Sequence, residues 1–329
     1  MNNFKNVLIL IETKNNSIKP ISYELISAGR KLADGLKQEL AALVLDAGLT
    51  ISSAEEMIKR GVDIVYKGKG LSLSEDNHGY NVSLLENAVQ KIAPQVLLLS
   101  ASDLRNTYAA FLAGKLNSAA LTNCNDLSVD EEKSIIFSKT VYCGKAFASY
   151  KISSYPSIAT IKQKSFAAAE ATDKNAGRIE EFELNVLAVS SKMKLIEEIV
   201  EEENVQLEGA KIVVCAGGGI GGKEGLVQLQ KLAEALNGVV GATKVPCDEG
   251  WVPKKTYIGQ TGKTVSPNLY IAIGVSGATQ HITGVLGSKC IVAINRDKDA
   301  PIFKYSDYGI VADYKTIVPL LIEELQKQK

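Results

Sequence analysis

The sequence predicts an α/β protein of two domains. The first is a mostly parallel sheet with antiparallel additions, and the second is a doubly wound domain. Three observations carry this reading. Short apolar runs alternate with segments of helical period through the first half. That pattern stops near residue 120 and restarts after residue 208. The chain has 329 residues, too many for one ordinary domain and suited to two.

The first element is the apolar run 7–11, consistent with a buried strand. Residues 22–36 carry apolar side chains at helical spacing. Strand 40–45, helix 54–58 and strand 62–66 follow, then helix 84–92, strand 96–100 and helix 106–116. Such alternation implies a parallel sheet covered on both faces. From about Ala120 the texture changes. Segments 135–142, 146–152 and 158–161 are β-rich with no helix between them, and are expected to be antiparallel. Segment 165–180 is small, polar and without period. The expected division is an N-terminal domain over 1–190, a linker over 191–208 with a bridging helix at 192–200, and a second domain over 209–329. In the second domain strands are expected at 211–216, 239–240, 269–274, 290–295 and 308–312, with helices at 226–236 and 316–325.

Composition limits the function. Lys+Arg and Asp+Glu each number 37, so formal charge cancels. A broad nucleic-acid face needs an excess of basic groups to displace phosphate counterions. No apolar run reaches the roughly 18 residues that span a bilayer. Nothing at the N-terminus reads as a secretory signal, so a cytoplasmic protein is expected. The five cysteines fall outside metal-clip and iron–sulfur spacings, and read as isolated thiols. Only two histidines occur, and His78 sits in a polar stretch expected to be a loop. A Ser-His-Asp hydrolase is therefore disfavoured.

Residues 217–222 read Gly-Gly-Gly-Ile-Gly-Gly and fit G-x-G-x-x-G between a strand and a helix. Two readings stand: a tight turn packed on a neighbour, or a nucleotide contact. An NAD site would place an acid after the next strand, but that strand leads into Gly241, Ala242, Thr243 and Lys244. Residues 259–264, Gly-Gln-Thr-Gly-Lys-Thr, fail as a P-loop because Tyr257 stands where the first glycine belongs. They remain a turn suited to the edge of a planar heterocycle, or an ordinary surface turn. Segment 271–281 runs from a strand through Gly274, Ser276 and Gly277 into an expected helix. The N-terminus of that helix would offer unpaired N–H groups to an anion. Asn295 and Asp313 end later strands, where open α/β sheets bind ligands.

These segments together resemble the α subunit of electron-transfer flavoproteins. The match rests on VVCAGGGIGG, VGATKVPCDEGWVP, YIGQTGKTVSPNLYIAIGVSGATQHITGV, CIVAINRDKDAPIF and DYGIVAD. VLILIET, LLLSASDLRNTYAAFLAGKL and SKTVYCGKAF extend it more loosely into the first half. The resemblance implies FAD in the second domain and a heterodimer with a β subunit. It also implies electron transfer between an acyl-CoA dehydrogenase, or another redox enzyme, and an acceptor. By position, Ile258, Gly259, Gln260 and Thr261 would flank the isoalloxazine ring, with Thr261 near N5. Ser276, Gly277, Ala278, Thr279, Gln280 and His281 would hold the ribityl-phosphate region, with His281 near the C2 carbonyl. Asn295, Asp313 and Tyr314 would meet the adenosine end, and Thr243 matches a usual serine beside the flavin. Two positions depart from the family: Gly218 and Lys244 stand where arginines are usual. The second arginine favours an anionic, one-electron-reduced ring. Lys244 keeps its charge but not a planar fork that stacks, so a less stabilised anion is expected, with a lower potential or weaker binding. An NADH-oxidising bifurcating complex, with a second FAD in the β subunit, is the alternative within the family. A nucleotide-binding or scaffolding subunit with weak or lost flavin is the alternative outside it.

Overall fold

The computed structural model describes residues 4–69, 72–73, 77–142, 144, 146–172, 176–183, 196, 207 and 209–327. The chain forms two compact units, Met1–Glu198 and Ile199–Lys329. The expected linker and its bridging helix fall largely outside the described residues.

In the first unit the elements run β1 (Val7–Leu10), β2 (Thr13–Lys14), β3 (Ser17–Ile18), α1 (Pro20–Leu36), β4 (Leu40–Val44), α2 (Ile51–Lys59), β5 (Ile64–Gly68) and α3 (His78–Ile92). They continue as β6 (Val96–Ser100), α4 (Asp103–Lys115), β7 (Ala120–Cys124), β8 (Asp126–Val129), β9 (Ile135–Val141), β10 (Ala146–Lys151), β11 (Ser157–Ile161) and β12 (Arg178–Phe182). Seven strands form one parallel sheet in the order β12-β5-β4-β1-β6-β11-β7. Its central strands β1 and β4 are apolar throughout because both faces are covered. Alternate residues of β1 serve opposite cores. Val7 and Ile9 pack with Leu25 and Leu32 of α1, while Leu8 and Leu10 pack with Leu85 of α3 and Leu112 of α4. Local signals set the helix starts. Pro20 opens α1, and Thr50, Asn77 and Ser102 accept from the N–H groups of Ser53, Tyr80 and Arg105.

Three expectations are corrected here. Segment 158–161 is parallel, not antiparallel: β11 is fully buried and inserts between β6 and β7. Antiparallel pairing joins β8, β9 and β10 in a three-stranded sheet, and β2 with β3 in a short hairpin. The polar segment 165–180 ends in β12, an edge strand whose Arg178 pairs with Glu180 and with Glu39. An edge carries charge on its open side, which hides its period. His78 begins α3 rather than lying in a loop, and its Nδ1 is 3.0 Å from the Tyr108 hydroxyl.

The second unit contains β13 (Ile212–Ala216), α5 (Lys223–Ala235), β14 (Val239–Ala242), α6 (Lys244–Asp248), β15 (Leu269–Ile273), α7 (Thr279–Ile282), β16 (Ile291–Asn295), β17 (Tyr308–Val311) and α8 (Tyr314–Lys327). All five strands are parallel, in the order β14-β13-β15-β16-β17. One face packs Leu229 and Leu232 of α5 and Val318 of α8. The other is covered largely by irregular chain, including Ile258, Val265, Val285 and Ile302. Successive strands depart to opposite sides of β13, so β13 and β15 bound the crevice where doubly wound sheets take ligands.

Candidate functional site

Every strand of the second sheet ends on the same edge. That edge collects the loops after β13, β14, β15, β16 and β17. It therefore gathers Gly218, Thr243, Lys244, the 276–281 segment, Asn295, Asp313 and Tyr314. The 258–261 turn joins them through the backbone. The Ile258 N–H donates to the Ala242 carbonyl and the Gln260 N–H to the Gln280 carbonyl.

The glycine segment is first a packing device. The Gly217 N–H donates to the Ile273 carbonyl and the Gly219 N–H to the Gly274 carbonyl. A Cβ on Gly217 would lie 2.1 Å from the Gly274 oxygen. Only bare backbone allows the two loops to touch, so the packed-turn reading holds at Gly217 and Gly219. Gly221 and Gly222 differ. Their φ values are +76° and +150°, and a Cβ on either would meet nothing within 4 Å. That part of the loop faces open space.

The loop after β15 is shorter on helix than expected. α7 has four residues, so its dipole is small, and the anion site expected at its N-terminus is corrected to a loop of free amides. The N–H groups of Ser276, Gly277, Ala278, Thr279 and Gln280 meet no protein acceptor among the described residues. Gly277 holds φ +90° against the Ile302 backbone, which gives the loop its shape. Ser276, Ala278 and Gln280 are exposed, as are Gln260, Thr261 and Lys244.

Other expected contacts are spoken for by the protein itself. His281 is buried, with Nδ1 2.9 Å from the Ile258 carbonyl and Nε2 2.8 Å from the Tyr270 hydroxyl. A carbonyl only accepts, so Nδ1 carries the proton and Nε2 accepts from Tyr270. Burial holds the imidazole below its usual titration range, against the pull of the Ile258 carbonyl. In this arrangement neither ring nitrogen turns outward, and His281 clamps the 258–261 turn to β15. Asn295 Nδ2 donates to the Val275 carbonyl, and its Oδ1 accepts from the Asp297 N–H. Asp313 Oδ1 accepts from the Lys315 N–H. The Tyr314 hydroxyl donates to the Ile220 carbonyl at 2.8 Å. Thr243 donates its N–H to the Ala216 carbonyl.

A cleft of about 240 Å³ opens where these loops meet, lined by Gly218, Gly221, Asn295, Asp313 and Tyr314. Two cations also line it that sequence reasoning missed, Arg296 and Lys315. Each follows a strand-end polar residue by one or two places, and that adjacency was the available signal. Nucleophilic chemistry finds little support nearby. Burial pushes the Cys215 thiol up to about 12, so it is no thiolate at neutral pH.

Comparison with known proteins decides the family. The model described as "Electron transfer flavoprotein domain" matches residues 7–187, more than half the chain. That of the "Electron transfer flavoprotein FAD-binding domain" matches residues 206–286. The electron transfer flavoprotein subunit alpha of Thermoanaerobacterium thermosaccharolyticum is 35% identical over 332 residues, covering all of both chains.

The chain belongs to the electron transfer flavoprotein α-subunit family.

The Bacillus subtilis electron transfer flavoprotein subunit alpha is also 35% identical, over 98% of each chain. Protein FixB of Azorhizobium caulinodans is 35% identical over 97% of this chain and 88% of its own. The chain thus carries the family's FAD-binding domain, and FAD is its cofactor. An α subunit of this family implies a β subunit as partner. Among the described residues, no helix is long and apolar enough to cross a membrane. The edge of the second sheet fits a nucleotide cofactor: five free amides after β15, an open glycine backbone after β13, and cations at the rim.

Proposed function

We propose that this subunit, with its β partner, carries electrons between an acyl-CoA dehydrogenase, or a similar flavoenzyme, and a redox acceptor. The run of free amides from Ser276 to Gln280 carries the reading, because main-chain N–H groups without protein acceptors suit the phosphates of an anionic cofactor. When bound, FAD supplies the one- and two-electron chemistry. The protein's part is binding and field. Ser276, Gly277, Ala278, Thr279 and Gln280 hold the ribityl-phosphate region through main-chain N–H groups. Ile258, Gly259, Gln260 and Thr261 border the ring, and Thr243 and Lys244 approach it from the end of β14. Asp313 faces the adenosine end, while Asn295 and Tyr314 support it by fixing the Val275 and Ile220 carbonyls. His281 acts here through the turn that it clamps. Gly218 and Lys244 leave less fixed positive charge than the family's usual arginines.

Those two residues also keep a second reading, an NADH-oxidising bifurcating complex, in view. One experiment separates the two. The purified yellow complex is mixed anaerobically with an acyl-CoA dehydrogenase and its substrate, or with NADH alone. Bleaching of the flavin band by the dehydrogenase but not by NADH supports the first reading. Bleaching by NADH alone overturns it in favour of the second.

A further inference from the structure

The first unit repeats the topology that places a ligand in the second. Around β1, the chain goes first to β4 and β5 on one side, then to β6 on the other. The carboxyl ends of β1 and β6 therefore bound a second switch-point crevice. A cleft of about 410 Å³ opens there. It is lined by three cations, Lys14, Lys19 and Arg105, and by Asp46.

Two of the lining cations, Lys19 and Arg105, belong to a polar network centred on Glu12. Glu12, just beyond β1, is buried and accepts from the Ser100 hydroxyl at the end of β6. Lys19 Nζ lies 3.3 Å and Arg105 Nε 3.5 Å from the same carboxylate. Burial alone would raise the Glu12 carboxyl, but the Ser100 bond and the Arg105 and Lys19 charges outweigh it and hold it low. Glu12 therefore stays ionised and fixes both cations. It does not exhaust them. A guanidinium has five donors and an ammonium three, more than the pairing of Arg105 Nε and Lys19 Nζ with one carboxylate uses. The Arg105 guanidinium also lies 5.3 Å from the centre of the buried Tyr108 ring, which holds it in place. Lys14 projects from the β2–β3 hairpin with no protein partner among the described residues.

The acid is placed as ribose recognition requires. Asp46 follows β4, the next strand of the large sheet after β1, where a doubly wound nucleotide site keeps an acid for the ribose hydroxyls. Its Oδ1 caps the Gly48 N–H and its other oxygen remains for a ligand.

We propose that the cleft at the β1–β6 switch point binds a small ribonucleoside phosphate, with Lys14, Lys19 and Arg105 on the phosphate and Asp46 on the ribose. Isothermal titration of the FAD-loaded heterodimer with AMP, and separately with inorganic phosphate, tests this. Nucleotide sites elsewhere in the complex contribute equally to wild type and variants, so the difference is read. Flavin absorbance checks that each variant is folded. Lys14→Glu should weaken one AMP-binding event about ten-fold, the scale of one charge-assisted hydrogen bond. Asp46→Asn keeps the Gly48 cap and should weaken AMP while leaving phosphate unchanged. Identical AMP titrations for wild type and Lys14→Glu would overturn the site. Phosphate binding as tightly as AMP, with Asp46→Asn silent, would overturn the ribonucleotide assignment.

Discussion

Replacing Gly217 by alanine separates packing from charge at the cofactor edge. Gly217 has φ −92° and ψ 171°, which any residue adopts, so backbone strain is not the issue. The added Cβ would lie 2.1 Å from the Gly274 oxygen, 2.3 Å from its carbonyl carbon and 2.5 Å from the Val275 nitrogen. Ordinary contact begins at 3.4 Å, so the overlap exceeds an ångström and every partner is backbone. No side chain can turn away. The loops after β13 and β15 must part, breaking the Gly217 to Ile273 and Gly219 to Gly274 hydrogen bonds. Overpacking of this kind costs up to about 3 kcal/mol, which is roughly a hundred-fold in FAD affinity if the parted loops cannot bind. Gly218→Ala is the control. Its Cβ would sit 3.2 Å from the terminal carbon of exposed Val245, which can yield, so the change should stay within about 0.5 kcal/mol. The assay is flavin absorbance per protein in the complex purified without added FAD. Equal flavin content in both variants would refute the reasoning.

Three further outcomes follow from the same geometry. Tyr314→Phe removes the bond to the Ile220 carbonyl and should destabilise the second unit by about 1 kcal/mol in urea melts, since a buried acceptor loses its donor. His281 binds its proton less tightly when folded than its ordinary value of 6.5. The unfolded chain therefore takes up protons first, and stability should fall as pH drops below 6.5; melts of wild type and His281→Asn between pH 7.5 and 5.5 should show a flatter slope for the variant. Lys244→Arg should raise the first reduction potential of the bound flavin in an anaerobic titration, because a planar guanidinium can lie against a ring.

The sequence was most readable where burial was uniform. Runs such as Val7–Leu10 and Leu40–Val44 are apolar on both faces, so their length and flanks define them. It was least readable at edges. β12, Arg-Ile-Glu-Glu-Phe, mixes charged and apolar residues without a period, and β11 looked antiparallel because β9 and β10 before it are. Residue types pointed to loops that meet at one edge of the second sheet, but not to what each side chain does there. Asn295, His281 and Tyr314 carry the polar groups a ligand would use, yet each spends them on a neighbouring carbonyl. A polar residue at a strand end looks the same in sequence whether it turns toward a ligand or toward its own backbone. The free amides at Ser276 to Gln280 had no side-chain signature at all.

FAD is proposed to lie along the carboxyl edge of the second sheet. A crystal structure of the yellow heterodimer tests it most directly. The pyrophosphate is expected against the main-chain amides of Ser276 to Gln280, with the ring beside Gln260 and Thr261. A cofactor seated away from the β13–β15 crevice, with those amides still free, would contradict it.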